Sequence, residues 1–181
     1  MTESELITKW GWLLGVHPIP TWTEPASLAY CAEVASRSNV MVEIGSYLGV
    51  SAKVMLAANP KLHLWCVDVF TAFAFNYETT AHFLRDEIKQ GRCELIVGDS
   101  NRAADMLQHV TLDACWIDGC HATECVKQDI RRFLPLLRSG GILFGHDFDL
   151  PHNDVALGVI ASLSMDKVTF PVSRVWQYIK P

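Results

Sequence analysis

Five short apolar runs alternate with segments of helical spacing, and this alternation constrains the fold more than any other feature of the chain. The runs cover residues 40–44, 62–67, 94–97, 112–117 and 142–144. Helical segments are expected over 51–58 and over 80–90, where Leu84 and Ile88 share a face and Gly91 is a stop. Another starts at Ser100, a candidate cap, and runs to about residue 109. Ala122, Val126, Ile130, Leu134 and Leu137 then recur at helical spacing until Gly140-Gly141. A helix over 155–163 and two strands over 168–170 and 174–179, paired as a hairpin, complete the pattern. Strands that are apolar almost throughout, separated by helices, predict one α/β domain with a doubly wound, mostly parallel, seven-stranded sheet covered on both faces.

In such sheets, ligands bind beyond the carboxyl ends of the strands. The polar residues fall there repeatedly: Glu43, Asp68, Asp99-Ser100, Asp118 and His146-Asp147. The first of these ends reads Glu43-Ile44-Gly45-Ser46-Tyr47-Leu48-Gly49. Glycines in a strand-to-helix turn let backbone N–H groups approach a ligand closely, because no Cβ stands in the way. The spacing is E-x-G-x-x-x-G, which differs from the G-x-G-x-x-G of dinucleotide binders and speaks against a nicotinamide dehydrogenase.

Composition narrows the partners. The 181 residues are half hydrophobic, enough for one domain with a substantial core. Net charge is −5 and Arg131-Arg132 is the only adjacent basic pair, so neither a nucleic-acid groove nor a polybasic membrane patch is expected. The apolar runs are too short for a membrane span, and residues 1–9 lack a signal-peptide pattern, so the expected location is cytoplasmic. The six cysteines form no C-x-x-C and are expected to be reduced, mostly buried thiols and not a zinc site.

Residues 1–39 differ in character from the rest. Trp10, Trp12 and Trp22 stand among Gly11, Gly15, Pro18 and Pro20, which suggests an irregular or briefly helical segment. A helix from Pro25 would turn Leu28, Ala32 and Ala35 inward. This Trp-rich segment is a candidate lid or subunit interface, with residues 40–181 as the ligand-binding domain.

The glycine turn resembles motif I of the class I S-adenosylmethionine (SAM)-dependent methyltransferases, whose fold is Rossmann-like. A more specific resemblance lies in Ile117-Asp118-Gly119-Cys120-His121, Asp129-Ile130 and the run from Gly140 to Asp147. These look like the I-D-G-x-H, D-I, G-G-I-L and H-D elements of a subfamily similar to macrocin O-methyltransferases and cephalosporin-hydroxylase-like enzymes. The match covers about residues 25–150. The resemblance implies O-methylation of a sugar or another small hydroxylated molecule. It places Glu43 and the Gly45-Ser46-Tyr47 turn to Gly49 at the methionine end of SAM. It places Asp68, followed by Val69, at the ribose, Asp99-Ser100 at the adenine edge, and Asp118 beside the reactive centre. A catalytically inactive binding protein on the same fold is the alternative.

Several relatives resemble catechol-type enzymes in using a divalent cation, held by a carboxylate after strand four and an acidic pair after strand five. Here the pair is His146-Asp147, so Asp118, His146 and Asp147 are the candidate ligands for Mg²⁺ or Mn²⁺. Cys120 stands where some relatives carry an acid, leaving His121 as the first candidate general base and His146 as the second. Phe70, Phe73, Phe75 and Tyr77 form an aromatic stretch that could wall the acceptor pocket or pack as core, and Pro151 to Asp154 reads as a turn where an acceptor enters. With no large substrate domain, a homodimer that completes the pocket is expected.

Overall fold

β1 (Val40–Ile44) shows how the sequence builds the sheet. Side chains alternate across a strand. Met41 faces one core cluster and Val42 and Ile44 face the other. Helices cover both faces, so every position of the strand except Val40 is buried. The computed structural model describes residues 1–14, 21–71, 76–149 and 153–181.

The elements run α1 (Glu3–Leu14), α2 (Pro25–Ala35), β1, α3 (Val50–Ala58), β2 (His63–Asp68), α4 (Asn76–Phe83), α5 (Arg85–Lys89), β3 (Cys93–Val97), α6 (Ser100–Met106), β4 (Leu112–Ile117), α7 (Thr123–Phe133), β5 (Leu137–Gly145), α8 (Asp154–Ser162), β6 (Val168–Val172) and β7 (Val175–Ile179). The seven strands lie in the order β3-β2-β1-β4-β5-β7-β6. The first five are parallel and the β6–β7 hairpin adds two antiparallel strands. The α/β, mostly parallel, seven-stranded architecture is the expected one. The chain order reverses between β1 and β4, which makes their carboxyl ends the topological switch point.

One face carries α1, α2 and α3 over Met41, Leu64, Ala114 and Trp116. The other carries α6, α7 and α8 over Val42, Val67, Cys115 and Leu143. Among the described residues no helix is long and apolar enough to cross a membrane.

Four local expectations are corrected. The segment expected to be irregular or briefly helical is helical for 12 residues as α1, because Leu6, Trp10 and Leu13 fall on one face and pack into the cluster that holds α2. Gly15, Pro18 and Pro20 lie outside the described residues. The single helix expected over 80–90 is two, α4 and α5, divided at the fully buried Leu84, whose backbone (φ −97°, ψ 11°) leaves the helical region. The helix expected to continue to Leu137 ends at Phe133. Pro135 has no N–H to continue the ladder. Leu137 therefore begins β5, and Gly140-Gly141 lies within that strand as a register shift against β4. Finally, Asp99 and not Ser100 caps α6, its Oδ1 accepting from the Arg102 N–H at 2.9 Å.

Candidate active site

A cavity of about 880 Å³ opens over the carboxyl ends of β1 to β5. That is room for a nucleoside-sized molecule and a small second one. Four non-glycine residues hold left-handed backbone: Tyr47 (φ 46°), Phe70 (φ 53°), Asp147 (φ 58°) and Arg174 (φ 61°). Tyr47, Asp147 and Arg174 line the cavity, and Phe70 follows Val69, which also lines it. Such conformations cost about 1–3 kcal/mol each and gather at functional sites.

At the β1 end, the Gly45 N–H bonds the Val67 carbonyl at 2.8 Å and the Asp118 N–H bonds the Ile44 carbonyl at 2.8 Å. These bonds carry the sheet ladder into the turns and fix the two neighbouring strand ends. Gly45 is required twice over. Its φ is +91°, and a Cβ there would lie 2.1 Å from the Asp118 carbonyl oxygen. Gly45→Ala is accordingly expected to lower the melting temperature by roughly 6–12 °C, taking about 3 kcal/mol for an overpacked, strained position. An unchanged melting curve would show that the turn has another geometry.

Asp68 ends β2 with both carboxylate oxygens anchored. Oδ2 accepts from the Tyr47 N–H and Oδ1 from the Phe70 N–H, each at 2.7 Å. Each oxygen keeps lone-pair capacity for a further donor, the arrangement that two ribose hydroxyls require. Gly45, Ser46, Tyr47, Val69, Asp99 and Ser100 line the same cavity. The Ser46 hydroxyl is buried without a protein partner.

Glu43 and Gly49 do not line it. Strand alternation turns the Glu43 side chain to the α3 face, where it is fully buried and accepts from the Ser51 hydroxyl at 2.5 Å. Burial pushes its carboxyl up to about 7. Glu43 thus supports the turn from beneath, and the expectation that it holds the methionine end directly is corrected. Gly49, with φ +80°, caps α3.

At the β4–β5 end, one oxygen of Asp118, one ring nitrogen of His121 and one oxygen of Asp147 lie within 4.8 Å of one another. His121 Nε2 stands 3.2 Å from Asp147 Oδ2 and its side chain is 59% exposed. Burial pushes the Asp118 carboxyl up to about 7, with Asp147, Glu43 and Glu24 adding to the effect and His146 opposing it. Hydrogen bonding to His146 and the charges of His146, His121 and Arg174 hold Asp147 below the usual carboxylate range, against its partial burial.

His146 takes another part than expected. Its side chain is 4% exposed, and its Nε2 lies 2.7 Å from Glu24 Oε2. Its Nδ1 lies 3.4 Å from Asp147 and 3.7 Å from Asp118. Burial disfavours the imidazolium, but the three carboxylates outweigh it and raise the pKa above that of ordinary histidine. A ring so enclosed is a poor proton acceptor, and it lies outside the group of convergent donors. Among the described residues the donors that converge as a group are Asp118, His121 and Asp147, with His146 beside them against Glu24.

Glu24 and Arg174 escaped sequence reasoning. Arg174 sits in the β6–β7 turn, where its guanidinium bonds Glu24 at 2.6 Å and also bonds Asp147. The two reach the site from opposite ends of the chain, 150 residues apart, and nothing local marks either one. Thr21, Trp22 and Thr23 line the cavity rim, with Trp22 78% exposed and stacked on Tyr47 at 5.5 Å between ring centroids. Phe70 is buried edge-on to the exposed Tyr77. Phe73, Phe75, Pro151 and His152 lie outside the described residues.

The cysteines also depart from expectation at one pair. Cys31, Cys66, Cys93 and Cys115 are free and buried. Cys120 and Cys125 are joined as a disulfide, because the first turn of α7 brings Cys125 back over the loop after β4, with the Cα atoms 5.8 Å apart. Both line the cavity.

A nucleoside-sized cavity thus lies at the switch point of an α/β sheet, with Asp68 on one side and the group of Asp118, His121 and Asp147 on the other. Residues 42–148 match the family described as "Methyltransferase domain", and the chain belongs to that family and so to the SAM-dependent methyltransferases. No curated protein matches the sequence. Among solved structures the fold is similar to that of CalS11, the TDP-rhamnose 3′-O-methyltransferase of calicheamicin biosynthesis, at 17% identity and a TM-score of 0.69, covering 97% of this chain and 93% of that one. It is similar to the S-adenosylhomocysteine (SAH)-bound Podospora anserina methyltransferase PaMTH1, at 17% identity and a TM-score of 0.66, covering 97% and 88%. It is also similar to the Bacillus cereus O-methyltransferase in complex with SAH, at 12% identity and a TM-score of 0.67, covering 98% and 90%.

Proposed function

We propose that this enzyme methylates a hydroxyl oxygen of a small molecule, of the sugar or natural-product type. The observation that carries the reading is the convergence of Asp118, His121 and Asp147 at the β4–β5 end of the cofactor cavity. An oxygen nucleophile must lose a proton as it attacks, and this cluster is built to receive one. CalS11 and the B. cereus neighbour are both O-methyltransferases, which supports oxygen as acceptor.

SAM supplies an electrophilic methyl group on a sulfonium, and the remaining work is done by the protein. Asp68 holds the ribose, and the Gly45–Tyr47 turn with Ser46 holds the methionine end. Held by these residues, the cofactor would present its methyl group toward the β4–β5 end of the cavity, where an acceptor could be aligned with it. His121 Nδ1 takes the hydroxyl proton, and Asp147, whose Oδ2 stands 3.2 Å from Nε2, orients the ring and stabilises its cation. The donor set of two carboxylates and one imidazole also fits a divalent cation, which would be held by Asp118, His121 and Asp147 and would lower the acceptor's pKa. Thr21, Trp22 and Thr23 wall the acceptor side, the lid role assigned to the N-terminal segment. The exposed Trp12 and Trp22 support a homodimer that covers this rim. A net charge of −5 supports an acceptor that is neither nucleic acid nor membrane.

The test is isothermal titration with SAH, with and without Mg²⁺, using NAD⁺ as control, followed by a screen of sugar and phenol acceptors. Micromolar SAH binding, no NAD⁺ binding and turnover of a hydroxyl acceptor are expected. SAH binding with turnover confined to nitrogen or carbon acceptors would refute the oxygen assignment.

A further inference from the structure

The disulfide between Cys120 and Cys125 closes the loop after β4, and both cysteines line the cavity. His121 lies inside the closed ring, next to Cys120. The loop is anchored at either end. The Asp118 N–H bonds the Ile44 carbonyl at 2.8 Å, and the buried Val126 and Ile130 seat the start of α7. Between these anchors Cys120, His121 and Ala122 are exposed. Asp147, at 3.2 Å, holds the imidazole of His121, and the sulfur bridge of the neighbouring residue holds its backbone.

Two observations mark the bridge as exchangeable. The first is access. Cys120 is exposed, whereas the free thiols Cys31, Cys66, Cys93 and Cys115 are buried. The second is the leaving group. Cys125 is the third residue of α7, where backbone N–H groups and the helix dipole stabilise a thiolate. Ala122, at the cap position, supplies no side-chain bond to those N–H groups. The bridge joins residues only five apart, and so short a ring returns little of the stability that long loops gain.

We propose that Cys120 and Cys125 form a thiol–disulfide exchange site for low-molecular-weight thiols of the glutathione type, and that the oxidised pair clasps the loop that carries His121. In reduction, a glutathione thiolate attacks the Cys120 sulfur. The Cys120–Cys125 bond breaks and its electron pair leaves on the Cys125 sulfur. A second glutathione thiolate attacks the glutathione sulfur of the mixed disulfide, so the Cys120 thiolate leaves and glutathione disulfide is released. The two cysteine thiolates take up the two protons that the glutathione thiols gave up. Two electrons pass from two glutathiones to the bridge, and the reverse sequence closes it. With the clasp open, His121 relies on its contact with Asp147, and its side chain is 59% exposed. The exchange chemistry stands apart from the cofactor, whereas its effect on methyl transfer rests on the role proposed for His121.

The experiment equilibrates the whole protein in glutathione buffers from fully oxidised to fully reduced. Thiols are then alkylated under denaturation and located by mass spectrometry, and hydrogen exchange is measured on the native protein at both ends of the series. Cys120 and Cys125 should become alkylated together as reduced glutathione rises, and should pair again when glutathione disulfide is restored. The other four cysteines should be alkylated throughout. Exchange over residues 118–124 should quicken by about tenfold on reduction, while exchange over β1 stays the same. Cys120→Ser should exchange like reduced wild type in either buffer. A bridge that glutathione neither opens nor restores, or equal exchange over 118–124 in the two states, would overturn the proposal. Titration with SAH in both buffers separates it from the reading of the cavity. Absent SAH binding, with the redox and exchange changes as expected, would leave the exchange site standing and overturn the cofactor contacts proposed above.

Discussion

His121→Ala is expected to lower kcat by about 10²- to 10⁴-fold, the usual contribution of a general base. Affinity for SAH should stay within about twofold. The separation follows from geometry. His121 is 59% exposed and its ring touches Asp147, not the ribose anchor, so its loss removes a proton acceptor without disturbing the cofactor floor. Two readouts divide the possible roles. Restoration of activity by added imidazole identifies a base. Restoration by raised Mg²⁺ identifies a ligand of a cation that Asp118 and Asp147 still hold weakly. Full activity in the variant would remove His121 from the mechanism, and the fixed charges around His146 would then become the centre of attention.

Asp68→Ala should weaken SAH binding by roughly 10²-fold or more. Two hydrogen bonds from ribose hydroxyls to a carboxylate contribute about 1.5 kcal/mol each at the low end. The same substitution frees the Tyr47 and Phe70 N–H groups, both now held at 2.7 Å in left-handed residues. A 2′-deoxy analogue of SAH separates the direct contact from this loosening. Wild type should bind it more weakly than SAH, whereas Asp68→Ala should treat the two alike. Unchanged affinity of Asp68→Ala for SAH would end the ribose assignment.

The strand ends that line the cavity were more legible in sequence than the side-chain contacts between them. Asp68, Asp99 and Asp118 each end a strand whose apolar run is visible, and a parallel sheet brings all such ends to one edge. Glu43 shows the limit of that reasoning. It ends its strand as the others do, but the two-residue period of β1 points it under α3. Likewise the heptad-like run to Leu137 carried helical spacing beyond the true helix, because apolar spacing alone does not register the loss of an N–H at Pro135.

His146 and His121 could not be ranked from spacing. The ranking depends on Glu24, which enters from the residue before α2, and on Arg174, which enters from the far hairpin. Asp129 reads in sequence as a solvated face residue of its helix, but it is buried beside Val126, Ile130 and Phe133.

The sequence by itself determined the sheet, the order of its strand-end acids and the glycine turn, because these follow from local periodicity and backbone freedom. Only the tertiary structure decided which acid faces the cavity, which histidine is enclosed and which is open, and which cysteines meet. Those outcomes depend on contacts between residues far apart in the chain, which no local pattern encodes.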